Sequence, residues 1–343
     1  GGTNVGPRYG YWRMNGTADI VMECPRPASC LGNVDVVDSS NVTLNPVGYC
    51  ADTYVGNLCN ECIDGWAKGN SGTCVDCSTN VISYVLIVTM ILIQAIVIAF
   101  GVREMMKFGE EFLEGNHVET KTAVLFRILL SYAQVFSLIF DIDINWPNLM
   151  ESILGVTGKV SALSDSLFVV DCFFLLGKKA TGADVIFIKA LWTAITPFFY
   201  ILLGMMFWII YFKLKGRPIR NNKNLKNLII MTMVIICFDQ QPQVIQSGFS
   251  LLDCVNLYRT DTRVAFLQDA YDIKCWQGEH LGWMLALALP SLGIWILVLP
   301  GFVMHILRKS RGKLNDEDIV KRYSFVYNGY QEKFFYWEAI IML

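Results

Sequence analysis

From Val81 onward the chain is dominated by long apolar runs, whereas residues 1 to 80 are polar and rich in cysteine. A helix that crosses a bilayer core needs about 20 mostly apolar residues, because lipid offers no partner to an exposed backbone N–H or C=O. Five runs reach that length: Val81 to Val102, Ala123 to Ile142, Val185 to Phe212, Leu225 to Leu252 and Leu281 to Leu307. The third is long enough to tilt or project beyond the bilayer, and the fifth contains Pro290 and Pro300. A sixth run opens near Phe334 and stops at Leu343, too short to span. The pattern predicts a mainly α chain, with a polytopic helical membrane bundle over residues 81–343, made of five full spans plus the start of a sixth. Residues 1–80 form a separate small extracellular domain in front of it. A bundle cut within its sixth span implies a continuation beyond Leu343. The apolar segment Ser166 to Leu176 is too short to cross and is expected at the outer interface or packed on the bundle.

Short loops rich in Lys and Arg stay on the cytoplasmic side, because their translocation is disfavoured. Between the third and fourth runs lie Lys213, Lys215, Arg217, Arg220, Lys223 and Lys226, with no acidic residue among them. Arg308, Lys309, Arg311, Lys313, Lys321 and Arg322 follow the fifth run, and Arg103 and Lys107 follow the first. Alternate loops are thus basic, which places residues 1 to 80, about 143 to 184 and about 253 to 280 outside. Lipid headgroups are a further possible partner of the basic loops.

Composition narrows the class. The chain is 54% hydrophobic and 17% charged, with a net charge of −2 and a mean hydropathy of +0.42. Ordinary soluble chains carry about 25% charged residues, and disordered ones are poor in aromatics. The near-neutral balance leaves no electrostatic footprint for nucleic acid.

The eleven cysteines are Cys24, Cys30, Cys50, Cys59, Cys62, Cys74, Cys77, Cys172, Cys237, Cys254 and Cys275. Ten fall in segments assigned to the outside and Cys237 alone lies in a span, which leaves an even number for disulfides in an oxidising compartment. The N-x-S/T sequons at Asn15 and Asn41 both lie in the N-terminal domain and are expected to be glycosylated. Cys59, Cys62, Cys74 and Cys77 form two C-x-x-C pairs whose spacing also suits a tetrahedral zinc. The sequons, the loop charges and the accompanying Cys24, Cys30 and Cys50 favour disulfides, so no metal is expected.

Residues Gly48 to Cys77, GYCADTYVGNLCNECIDGWAKGNSGTCVDC, resemble the end of a laminin-type EGF or ephrin-receptor-like cysteine-rich repeat. Such repeats carry a C-x8-C loop with a Gly turn, then C-x2-C and a second Gly–aromatic pair. Here the pairs are Tyr54 with Gly56 and Gly65 with Trp66. The resemblance implies bridges from Cys50 to Cys59 and from Cys62 to Cys74. Cys24 and Cys30 then close a short loop of their own, and Cys77 is left over before the first span. Cys172, unpaired in the next outer loop, is its expected partner, and Cys254 is expected to bond its sequence neighbour Cys275. Further stretches, GYWR (Gly10 to Arg13), RILLSYAQVFSL (Arg127 to Leu138), NWP (Asn145 to Pro147), QPQVIQSGFSLLDC (Gln241 to Cys254) and YNGYQEKFFYWE (Tyr327 to Glu338), extend the likeness. The chain resembles the multi-pass membrane proteins of ciliates, algae and other protists, whose cysteine-rich repeats precede a helical region described as TRP-like. The resemblance implies further repeats before Gly1 and further spans after Leu343. The lack of an initiator Met and of a signal-peptide pattern agrees with such a truncation.

Polar residues inside apolar runs are the candidate site. Asp239 lies about 20 Å along the fourth run from Lys226, near the midplane, where an ionised carboxylate costs at least ~3 kcal/mol. Gln240, Gln241, Pro242, Gln243 and Gln246 follow. One reading is an ion-coordinating or hydrated site at a broken helix. The other is a carboxyl that is protonated or hydrogen-bonded to a neighbouring helix and fixes packing. Asp141 and Asp143 stand at the outer end of the second run, as a cation-attracting vestibule or as ordinary interfacial charges. Lys189 is expected to snorkel or to pair with an acid such as Asp184, and Glu338 to pair with Arg127. Trp146, Trp192, Trp208, Trp276, Trp283 and Trp337 lie mostly near run ends, as an interfacial belt does.

The histidines are His117, His280 and His305, all assigned to loops or boundaries, and no P-loop, H-E-x-x-H or G-x-S-x-G pattern appears. Neither an enzyme nor a cofactor is expected. The expected role is that of a plasma-membrane or ciliary surface protein, receptor-like or anchoring, with the bilayer and an extracellular protein or glycan as partners. Homo-oligomers or a larger membrane assembly are expected too. The alternative is a TRP-like cation channel or channel subunit; a transporter would require an inverted repeat, and none is visible.

Overall fold

The computed structural model describes residues 6–16, 20–38, 41–68, 72–77, 80–113, 124–126, 128–129, 131–132, 172–175, 182–257, 264–328 and 330–341. The second apolar run and Asp141, Asp143 and Arg127 lie wholly or largely outside these residues. The chain divides into two compact units. A disulfide-rich unit comprises Gly1–Thr89, Trp146–Lys189 and Ser250–Leu285, and a helical unit comprises Met90–Asn145, Ala190–Phe249 and Ala286–Leu343.

The disulfide-rich unit opens with antiparallel pairs: a short one, β1 (Tyr11–Trp12) with β2 (Met22–Glu23), and a longer hairpin, β3 (Cys30–Asp38) with β4 (Asn41–Cys50). They are followed by β5 (Tyr54–Val55) with β6 (Glu61–Cys62), and β7 (Trp66–Lys68) with β8 (Cys74–Asp76). The two- and three-residue strands of β1–β2, β5–β6 and β7–β8 bury little apolar surface, and small domains then rely on disulfides. Trp12, Cys24, Cys30, Leu58 and Cys59 accordingly form the core, flanked by Met22, Val47, Tyr54, Leu257 and Tyr271. A three-stranded ribbon, β9 (Cys254–Val255), β10 (Phe266–Leu267) and β11 (Ala270–Lys274), completes the unit, with β10 in the middle. In the same unit Phe187 stacks on Trp283, ring centroids 5.4 Å apart.

Gly32 shows how closely the β3–β4 hairpin is packed. Its φ is +90° and a Cβ there would lie 2.9 Å from the backbone nitrogen of Tyr9 and 3.0 Å from the carbonyl carbon of Arg8. A side chain at such a φ costs about 1–2 kcal/mol, and a backbone clash cannot be relieved by a rotamer change. Gly32→Ala is therefore expected to destabilise this unit by about 3 kcal/mol; parallel denaturant titrations check it.

The helical unit holds most of five helices: α1 (Asn80–Leu113), α2 (Val185–Leu214), α3 (Lys223–Ser250), α4 (Gly278–Lys309) and α5 (Glu317–Tyr327). A short α6 (Trp337–Ile341) follows. Three of these, α2, α3 and α4, are long and apolar enough to cross a membrane. Half of the apolar window of α3 is buried, against 17% for α2 and 22% for α4. α3 is thus the central helix, while Ile195, Phe198, Leu202 and Met206 of α2 and Leu285, Leu289, Leu297 and Phe302 of α4 are exposed. Apolar side chains left bare over several turns suit a lipid solvent. The core joins Ile98, Val102 and Met105 of α1 to Ile235, Ile236 and Phe238 of α3, Leu307 of α4 and Phe325 of α5. Gly204 allows Thr232 to approach, and Trp208 donates its indole N–H to the Thr232 hydroxyl at 2.9 Å.

α4 is wound as a π-helix over Met284–Ala288 and again over Gly293–Val298. Each wide segment ends just before a proline, Pro290 or Pro300, at the start of the α-helical stretch that follows. Proline has no N–H and its ring crowds the preceding turn, and a widened turn accommodates both.

α5 starts at the N-cap Asp316, whose carboxylate accepts from the Asp318 N–H at 3.0 Å. Asn227 donates to Asp318 at 3.0 Å, and Arg322 donates to Asn227 at 2.6 Å. The hydrogen bond from Asn227, aided by the charges of Arg322, Lys223 and Lys321, holds the Asp318 carboxyl below its ordinary value. A depressed carboxyl stabilises the fold above its unfolded pKa of about 3.9 and loses that contribution as the pH falls through the lower folded value. Asp318→Asn is expected to flatten this acid limb, which unfolding midpoints between pH 5 and pH 2 would read.

Candidate functional site

Among the described residues five disulfides are present: Cys24–Cys30, Cys50–Cys59, Cys62–Cys74, Cys77–Cys172 and Cys254–Cys275, with Cα separations from 5.4 to 6.5 Å. These are the pairs set out above. The sulfurs of both C-x-x-C motifs are consumed in three different bridges, so they hold no common zinc tetrahedron. Cys254 and Cys275 also lie beside His280, within ligand reach of one another. That grouping is likewise closed to a metal, because both sulfurs are bonded to each other. Cys237 is a free thiol in α3.

The Cys77–Cys172 bridge brings a helical turn at 172–175, through Cys172 and Leu175, against Ala67 and Val75. The ribbon is tied in by hydrogen bonds from Asn57: its backbone N–H donates to Asp272 at 2.8 Å and its side-chain amide to the Tyr271 carbonyl at 2.9 Å. Gly56 permits the approach, since a Cβ there would lie 2.2 Å from the Asp272 carboxylate. His280 is 1% exposed and receives the Trp276 N–H on Nδ1 at 3.1 Å. Its Nε2, 2.9 Å from the Leu251 carbonyl, is therefore the protonated nitrogen, and the ring is a neutral brace. Asn15 is exposed in the turn after β1, while the Asn41 side chain lies outside the described residues.

In the helical unit the polar cluster divides. Asp239, Gln240 and Gln241 are buried, whereas Gln243 and Gln246 are exposed. One Asp239 carboxylate oxygen accepts from the amides of both Gln94 of α1 and Gln240, the latter at 2.7 Å. Gln241 donates to the Trp295 carbonyl of α4 at 3.1 Å. That carbonyl needs a donor from outside its helix. The Leu299 N–H bonds Ile294, and the next position, Pro300, has no N–H to offer. The cluster thus links α3 to α1 through a side-chain hydrogen bond and to α4 through a proline-orphaned carbonyl. Gln94 escaped the sequence reading, although it is a large polar side chain in the middle of an apolar run. Elsewhere, Glu338 accepts from the Tyr330 hydroxyl at 2.7 Å, its expected partner Arg127 lying outside the described residues. Lys189 has Asp269 within electrostatic reach.

No family model matches the chain, and no solved structure matches it. The chain is similar to cysteine repeat modular protein A of Toxoplasma gondii, with 25% identity over 138 residues. The likeness covers 38% of this chain but only 4% of that relative.

Proposed function

We propose that this is a cell-surface, multi-pass membrane protein of receptor-like or anchoring type, whose cysteine-rich head binds an extracellular protein or glycan. On this reading residues 1–80 form the outer EGF-like domain, glycosylated at Asn15 and Asn41, and residues 81–343 supply five spans and the start of a sixth. The plasma membrane, or its ciliary extension, is the place such a protein would work, and neither catalysis nor a cofactor enters its action. The observation that carries the reading is the disulfide-built unit, cross-braced by Cys77–Cys172 and by Asn57 to β11. Such a unit keeps its surface fixed, which lowers the ordering cost of binding, and its bridges belong to an oxidising compartment. Similarity to a cysteine-repeat protein is in keeping with it. The test is the full chain on intact cells: an N-terminal tag is expected to be stained without permeabilisation, with reduction-sensitive capture of glycan or matrix protein. Staining only after permeabilisation would refute the orientation, and an untouched capture after reduction would refute the role of the head.

A second reading, the TRP-like cation channel, is favoured by one observation, the acidic side chain of Asp239 inside an apolar helix. It requires current in reconstituted bilayers whose cation selectivity changes in Asp239→Asn. The anchoring reading expects no current.

A further inference from the structure

The ends of α1, α2 and α3 that carry the Lys and Arg residues enclose a cleft of about 550 Å³, of the size that small-molecule sites have. Its lining separates by chemistry. Arg103 and Lys107 of α1, Arg217 after α2 and Lys321 of α5 supply four cations, against one lining carboxylate, Glu110. Lys107 is engaged by Glu104 at 2.9 Å and Lys321 by Glu317 at 2.5 Å. Among the described residues Arg103 and Arg217 hold no carboxylate, and Arg217 lies over the Phe212 ring at 5.8 Å, which fixes the guanidinium without neutralising it. Apart from Asn224 and from Asn227, whose amide is engaged by Asp318 and Arg322, the rest of the wall is aliphatic and aromatic, including Val102, Met231 and the body of Trp208, whose N–H is already committed to Thr232.

A cleft with unneutralised guanidinium at one end and aliphatic and aromatic walls beyond matches an amphiphile with an anionic head. Guanidinium groups pair with phosphate through parallel N–H bonds, and aromatic side chains at this level of a span belong to the interfacial region. The basic ends are those the positive-inside rule assigns to the cytoplasmic leaflet, where anionic phospholipids are concentrated. We propose that this cleft binds an anionic phospholipid of that leaflet, with its headgroup phosphate at Arg103 and Arg217 and the near part of an acyl chain along Val102, Trp208 and Met231. The inference rests on the membrane reading above.

Trp208 supplies the probe. The full chain is placed in phosphatidylcholine nanodiscs doped with brominated phosphatidylserine or brominated phosphatidylcholine, and bromine quenching is titrated. The Trp208 contribution is obtained by difference against Trp208→Phe. Expected is a preference of on the order of tenfold for the anionic lipid at Trp208. The preference is expected to vanish in Arg103→Gln/Arg217→Gln and to survive in Arg103→Lys/Arg217→Lys and in Arg308→Gln/Arg311→Gln. Equal quenching of Trp208 by the two lipids overturns the proposal, and that comparison needs no variant of the arginines to fold. Relief of the anionic preference by millimolar inorganic phosphate also overturns it, by reassigning the cleft to a soluble anion. Absence of quenching from every tryptophan would instead overturn the membrane reading itself.

Discussion

Exchanging Cys50 and Cys59 together for serine is expected to unfold the disulfide-rich unit, at a cost of about 2–5 kcal/mol. The bridge does more than close a loop. Cys59 is 1% exposed and packs with Cys24, Cys30, Leu58 and Trp12 in a core that has little else in it. Leu58 and Cys59 both hold positive φ, 57° and 50°, a conformation that side chains with a Cβ adopt only when their surroundings enforce it. Serine would remove the enforcing bond and place a hydroxyl at the buried position of Cys59, with a second at half-buried Cys50. Thermal melts of the purified protein, read in the near ultraviolet with and without reductant, measure the loss. A double variant that melts within about 1 kcal/mol of the parent would show that the core stands without this bridge. Cys62 and Cys74, only half-buried, are expected to cost less when exchanged in the same way.

Asp239→Leu is expected to destabilise the helical unit by on the order of 2–4 kcal/mol, because the amides of Gln94 and Gln240 lose their shared acceptor at a site where the Asp239 side chain is buried. Asp239→Asn keeps an oxygen in place and nearly the same volume, and is expected to stay within about 1 kcal/mol of the parent. The informative variant is the pair Gln94→Leu with Asp239→Leu. With Asp239 and Gln94 both gone, the share of the loss due to the stranded Gln94 amide should return while Gln240 still lacks its acceptor, and the double-mutant cycle isolates the contact between α1 and α3. Unfolding in graded detergent mixtures provides the free energies. Should Leu at 239 prove as stable as Asp, the contact would be idle, since bundle interiors sometimes offer stranded amides other partners.

The long helices were legible because apolar length is a local property of the chain. The runs Val185 to Phe212, Leu225 to Leu252 and Leu281 to Leu307 meet helices at Val185–Leu214, Lys223–Ser250 and Gly278–Lys309, differing by at most three residues at any end. The pairs Cys50–Cys59 and Cys62–Cys74 were legible through the resemblance to laminin-type EGF repeats, and the others from the cysteines that resemblance left unassigned. Partners distant in sequence were not. Asn57 and Asp272 are 215 positions apart, and no periodicity relates them. The split of the glutamine cluster was equally hidden, since a run of polar residues does not reveal which of them a neighbouring helix will cover. The π segments of α4 needed more than their prolines to be foreseen. Pro197 and Pro242 stand inside α2 and α3, which stay α-helical around them, so the outcome depends on the packing each proline meets.

The bridges also bear on how this chain would respond to a protease. From Cys50 to Cys172 the backbone lies inside one disulfide loop or another, apart from Asn60–Glu61 and Val75–Asp76. Glu61 belongs to β6, and Val75 and Asp76 to β8, both paired strands that do not thread easily into a protease cleft. A nick anywhere else in that stretch, including the whole of α1, leaves the pieces covalently joined. Such a protein would run at full length on a non-reducing gel and fall into fragments only with thiol, so a single cut would seldom shed the head from its helices.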